Sequence, residues 1–158
     1  MAAIMGIMAM IAVPRMSSAA DRAKAAAVVG SVTQLQRSVE LYTAEHADRT
    51  PVTNPDGSTT VSGVVLVQRL LQPTDDLGNV GSDLYLGPYL RSWPTNAFNG
   101  KRSIRIDGPP AGANTHGWRI DSDTLLVEAD QLTSVSALGR GGAVHSITGG
   151  GALQAVGR

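Results

Sequence analysis

Hydrophobic residues follow different patterns along this chain. Met1 to Val13 (MAAIMGIMAMIAV) is apolar on every side and ends at Pro14. Beyond it, Val28, Val32, Leu35, Val39 and Tyr42 step by four, three, four and three, which lines one face of a helix. Ala19, Ala20, Ala23, Ala25, Ala26 and Ala27 add helix propensity at small volume. The charged residues Asp21, Arg22, Lys24, Arg37, Glu40 and Glu45 fall mostly off the stripe. These features predict a helix over 15–47. Pro14 removes a backbone donor and crowds the preceding turn, so a kink is expected there. Helix on both sides of the proline would reach about 65–70 Å at 1.5 Å per residue. A domain of this size needs no helix so long, so part of it is expected to protrude for anchoring or assembly.

Asn54-Pro55-Asp56-Gly57-Ser58 is turn chemistry. Val64, Val65, Val67, Leu70 and Leu71 then suggest a short second helix that stops before Pro73. The stretch 77–99 reads as a connector whose Leu84, Tyr85, Leu86, Tyr89, Leu90 and Trp93 should pack it onto a helix. Alternation marks strands near 103–107 (Ile104 and Ile106 against Arg105) and 117–121 (Trp118 and Ile120). A third strand near 124–128 would close a hairpin across Asp121-Ser122-Asp123. From Leu132 onward Gly, Ser and Ala dominate with no aromatic, and 131–158 reads as a flexible tail. The fold class is therefore α+β: a long N-terminal helix kinked at a proline, a short second helix, a small antiparallel sheet packed on the first helix, and a flexible C-terminal tail.

Composition narrows the function. The chain has 158 residues and a formal net charge of zero, so no basic surface for nucleic acid is indicated. It has no cysteine, which removes disulfides, thiolate nucleophiles and cysteine-ligated zinc. The apolar opening spans only about 20 Å as a helix, short of a hydrocarbon core of about 30 Å. A secretory signal peptide would carry a basic stretch before the apolar run and a small-residue cleavage site after it. Here Met1 stands inside the run and Pro14-Arg15 follows it. The segment reads as the second half of a membrane span.

Candidate chemistry is sparse. His46, His116 and His145 lie far apart, with no paired spacing for a metal. His46 is expected to meet free carbonyls at the helix end. Asp121 and Asp123, with Glu128 and Asp130 close by, are candidates for a hard cation such as calcium, although the spacing is not an EF-hand loop and turn aspartates commonly cap their own backbone. Asp75-Asp76 reads as turn and cap chemistry. No serine sits in Gly-x-Ser-x-Gly, and Gly139-Arg140-Gly141-Gly142 and Gly149-Gly150-Gly151 follow no strand that leads into a helix. No catalytic constellation emerges, and no cofactor is expected.

AIMGIMAMIAVPRMSSAADRAKAAAV resembles the distal half of the N-terminal segment of type IV pilins and type II secretion pseudopilins. LQRSVELYTAEHADRTPV resembles the end of that family's helix, and GPYLRSWPTNAFNGKRSIRI the loop after the helices in major-pseudopilin-like members. The family's leader peptide, its cleavage site and the glutamate that follows would lie upstream of Met1. The pattern kept after Met1 favours a start further upstream over a trimmed chain or a relic that cannot assemble. The resemblance implies a structural subunit of a type II secretion pseudopilus or type IV pilus-like fibre. Ile4, Gly6, Ile7, Met8, Ile11, Val13 and Pro14 would form the membrane anchor and filament core over 1–14, and 15–130 the pilin-like globular domain. Partners would be further copies of the chain, minor pseudopilins and an inner-membrane assembly platform. The domain would lie on the periplasmic side, or in a periplasmic or cell-surface fibre. Alternatives are a minor pilin for adhesion or DNA uptake and a membrane-tethered ligand-binding domain.

Overall fold

The helical stripe organises the molecule. A computed structural model describes the backbone over residues 3–60 and 62–132, and side chains over the same residues from Ala19 onward. Helix α1 (Ala3–Glu45, 43 residues) is followed by α2 (Gly63–Leu71) and by strands β1 (Ile104–Ile106), β2 (Trp118–Ile120) and β3 (Val127–Ala129). The architecture is α+β, as expected. Helix α1 runs as one element through Pro14, where a kink was expected and none is shown; the side chains of Ile4, Gly6, Ile7, Met8, Ile11, Val13 and Pro14 lie outside the described residues. So does the tail over 133–158.

On α1, Val28, Leu35, Val39 and Tyr42 are buried and Val32 is half-buried against them. This face packs on β3 and α2. The helix ends where Ala47 and Asp48 adopt positive φ, which breaks the helical path. His46 is buried at this end. Its Nδ1 lies 2.8 Å from the Tyr42 carbonyl and its Nε2 3.0 Å from Thr74 Oγ1; a carbonyl only accepts, so Nδ1 carries the proton of that bond.

Helix α2 sits where Val64 to Leu71 suggest it, with Leu66 and Leu70 inward and Val64 exposed. Its first residue approaches β1 so closely that a Cβ on Gly63 would stand 2.1 Å from the Ile104 carbonyl oxygen. Gly63→Ala is expected to cost about 1–3 kcal/mol, because backbone must move to admit one methyl group. Gly30 lies in mid-helix with nothing within 4 Å of the corresponding position; Gly30→Ala should instead stabilise by about 0.5–1 kcal/mol. Urea denaturation of the two variants beside the parent checks both signs.

The connector packs down through Leu90, Trp93 and half-buried Tyr89, whereas Tyr85 stays 72% exposed. The Leu70 carbonyl accepts from the N–H groups of both Tyr89 and Leu90. This fastens the connector to the C-terminal end of α2.

The sheet differs from expectation in two ways. It is mixed rather than antiparallel: β1 pairs with β2 in parallel and β2 with β3 antiparallel, in the order β1-β2-β3. The loop between β1 and β2 crosses back along the sheet. The Arg105 guanidinium holds it by donating to the Asp107 and Pro110 carbonyls. The third strand also begins later than 124, because the turn before it is wider than three residues. Asp121 Oδ1 accepts from the backbone N–H groups of Asp123 and Thr124 and from Thr124 Oγ1. Leu125 completes the turn at φ 58°, and pairing resumes at Val127 opposite Ile120.

Ile104, Ile106, Trp118, Ile120 and Val127 form the buried face of the sheet. On the opposite face the parallel register sets Arg105 beside Arg119. Like charges at neighbouring positions repel, and each arginine is matched by acids: Arg105 by Asp130, Arg119 by Glu128 and Asp121.

Candidate functional site

The feature most open to interaction is α1 itself. Every residue from Ala19 to Ala27 is exposed, and among the described side chains the first that is buried is Val28. Alanines dominate this stretch, with Asp21, Arg22 and Lys24 between them, and among the described residues no side chain of it is buried. Isolated helix is marginal in water, so a helical segment left exposed among the described residues stands to gain from a further contact. Further along, on the face away from the sheet, an open groove of about 360 Å³ is lined by Gly30, Thr33, Gln34, Arg37, Ser38, Leu41 and Tyr89. Leu41 remains 50% and Val29 65% exposed.

The groove wall is fixed by the connector. Ser38 Oγ is 2.9 Å from the Gln34 carbonyl and 3.2 Å from that of Tyr89. Tyr89 Oη donates to Glu45 Oε2 at 2.8 Å. Burial first, and then the Glu45 carboxylate, push the Tyr89 hydroxyl well above the ordinary phenol range. It stays protonated and keeps donating. Among the described residues no helix is long and apolar enough to cross a membrane.

Of the cation candidates, the Asp121 carboxylate is engaged within the fold. Asp121 caps its own turn and pairs with Arg119 at 3.1 Å, and Arg119 also reaches Glu128 at 2.9 Å. Hydrogen bonds from Thr124 and then from Arg119 hold the Asp121 carboxyl below its usual range. Asp123 is exposed beside it. Among the described residues no group of three or more His, Asp or Glu side chains converges as a metal cluster would. His116 lies in the loop before β2, at a distance in sequence and fold from His46, and His145 falls outside the described residues. Asp75 accepts from the backbone of Leu77 and Asn79 and from Asn79 Nδ2, which is turn chemistry alone, since no helix follows it.

Asp130, grouped in the sequence with the cation candidates, is fully buried and serves as a structural hub. It receives Arg105 through both Nε and Nη2 at 3.1 and 3.0 Å, the N–H groups of Gly112 and His116, and Thr115 Oγ1. Arg69 is a second polar anchor that periodicity could not reveal. Buried in α2, it donates to the carbonyls of Gly78 and Pro51 and to Asn54 Oδ1, tying two turns to the helix. Burial, the largest influence, lowers its pKa below the usual arginine value. A clue existed only for Arg69, the single charge within the apolar run from Val64 to Leu71.

No known protein family, no curated protein and no solved structure shows a match to this chain.

Proposed function

We propose that the chain is a structural subunit of a pilus-like fibre, of the type II secretion pseudopilus or type IV pilus class, and not an enzyme. The observation that carries this reading is the helix whose residues Ala19 to Ala27 are all exposed, continuous with the apolar sequence that begins at Met1. A helix that runs out of its domain with alanines at six of the nine positions from Ala19 to Ala27 suits close helix–helix packing along its small-residue face. Copies related by a head-to-tail operation that does not close give a helical filament. The apolar segment with Ile4, Gly6, Ile7, Met8, Ile11, Val13 and Pro14 would wait in the inner membrane and move from lipid to protein contacts on assembly. The sheet domain would remain on the periplasmic side. Related minor subunits and a membrane assembly platform complete the set of partners.

N-terminal sequencing and intact mass of the native protein, purified from membranes of the source cell, test leader processing. A mature chain that begins upstream of Met1 with a methylated first residue is expected. A native chain that begins at Met1 would contradict processing of this kind.

A further inference from the structure

Asn99-Gly100 is the one Asn-Gly pair in the chain. In unfolded peptide an asparagine before glycine is chemically labile, because glycine leaves its own backbone nitrogen unhindered for attack on the neighbouring carboxamide. Both reacting groups are restrained here. The Gly100 N–H donates to the Asn96 carbonyl at 2.8 Å, and the Asn96 N–H donates back across the turn to the Lys101 carbonyl at 3.0 Å. Gly100 itself is held at φ +69°. The Asn99 carboxamide is pinned as well: Oδ1 accepts from the Lys101 N–H at 3.0 Å, while Nδ2 faces Asn114 Oδ1, the His116 carbonyl and the Asp130 carbonyl at 3.1, 2.8 and 3.3 Å. Asn99 thus joins the connector to the loop before β2 and to the end of β3.

We infer that Asn99-Gly100 is a deamidation site gated by the fold, silent in the native domain and reactive once the 96–101 turn opens. In the open chain the Gly100 nitrogen attacks Asn99 Cγ and loses its proton to solvent. The former Nδ2 leaves as ammonia, and a cyclic imide results. Water then adds to either imide carbonyl and opens the ring to aspartate or isoaspartate, with no oxidant or reductant involved. The product cannot resume the native contacts. A carboxylate oxygen in the place of Nδ2 meets three acceptors where the amide met them as a donor, and isoaspartate also lengthens the backbone of a tight turn. Unfolding followed by this reaction is therefore irreversible, a chemical trap on the unfolded state.

Peptide mass spectrometry of the whole chain, held at mildly alkaline pH with and without urea, tests the inference. Trypsin cleavage after Arg91 and Lys101 releases Ser92 to Lys101, which contains Asn96 before Ala97 as an internal control. Asn99 is expected to convert in urea while Asn96 does not, and conversion in native buffer should be slower by at least about tenfold. The yield of refolded protein should fall in step with conversion at Asn99. Gly100→Ala adds a Cβ that meets nothing within 4 Å but is strained at φ +69°, so it should start less stable than the parent and yet retain its refolding yield through the same incubation. Equal rates of conversion in native buffer and in urea would overturn the gate. Refolding that is indifferent to conversion would overturn the trap, and both comparisons hold for the parent chain whether or not the variant folds.

Discussion

Replacing Asp130 with alanine is expected to cost about 3–5 kcal/mol, the range for breaking a buried ion pair from one side. Asp130 is fully buried, and its partner Arg105 has a side chain only 10% exposed. Removal strands the guanidinium and also deprives the Gly112 and His116 N–H groups and Thr115 Oγ1 of their acceptor. Arg105 then lies beside Arg119 in the parallel register with nothing to offset its charge. Domains are commonly stable by about 5–15 kcal/mol, so the loss takes a large part of the total. Urea denaturation followed by circular dichroism measures it.

The same site sets an acid limit. Burial by itself would raise the Asp130 pKa, but donation from Arg105, from the His116 N–H and from Thr115, with the Arg105 charge, outweighs it and holds the carboxyl well below the usual range. A depressed carboxyl contributes stability that is fully present above its unfolded pKa of about 3.9 and is lost as pH falls toward the folded value. Stability should hold from neutrality to about pH 4 and fall below it, with a shallower acid dependence in Asp130→Asn. An equally steep fall in that variant would assign the acid response to other carboxylates.

Trp118→Ala is expected to cost about 3–5 kcal/mol, the range for removing a large aromatic side chain from a core. Trp118 is fully buried on the central strand, among Ile104, Ile120 and the α1 face. Its Nε1 donates to the Pro94 carbonyl at 3.1 Å, which holds the connector against the sheet. Trp118→Phe keeps most of the ring volume and loses that hydrogen bond, so its cost should be smaller, with about 1–3 kcal/mol from the carbonyl left without a donor. Thermal melting of the two variants separates packing from hydrogen bonding. Equal losses in both would place the weight on the Pro94 contact.

These two residues illustrate what sequence patterns can reveal. Trp118, Ile120, Ile104 and the stripe from Val28 to Tyr42 were legible, because burial of apolar side chains imposes a period of two on strands and of about 3.6 on helices. Strand direction was not. Alternation is the same for parallel and antiparallel pairing, and the parallel choice lies in a loop held by Arg105 contacts to its own backbone. The late start of β3 was hidden for a related reason, since Asp121 widens the turn through backbone bonds that leave no mark on hydropathy. Asp130 and Asn99 look like surface residues until the acceptors and donors around them are seen.

For the candidate site, the sequence showed a helix too long for its domain, and the fold adds where it parts from the core, at Val28. The proposed anchor residues were read from the apolar run and from the family resemblance alone. Geometry contributes the exposed stretch that follows them.

The fibre reading is tested most directly by disulfide cross-linking within the source cell. The chain has no cysteine of its own, so paired substitutions along the exposed helix, such as Ala19→Cys with Ala26→Cys and Ala20→Cys with Ala27→Cys, introduce the only thiols. In a staggered stack of helices, such a chain can link to one neighbour above and another below. Oxidation is expected to give a ladder of covalent multimers from at least one double variant, and no species beyond dimers from the single ones. Monomers and dimers alone from every double variant, in cells with the assembly machinery active, would contradict a fibre subunit.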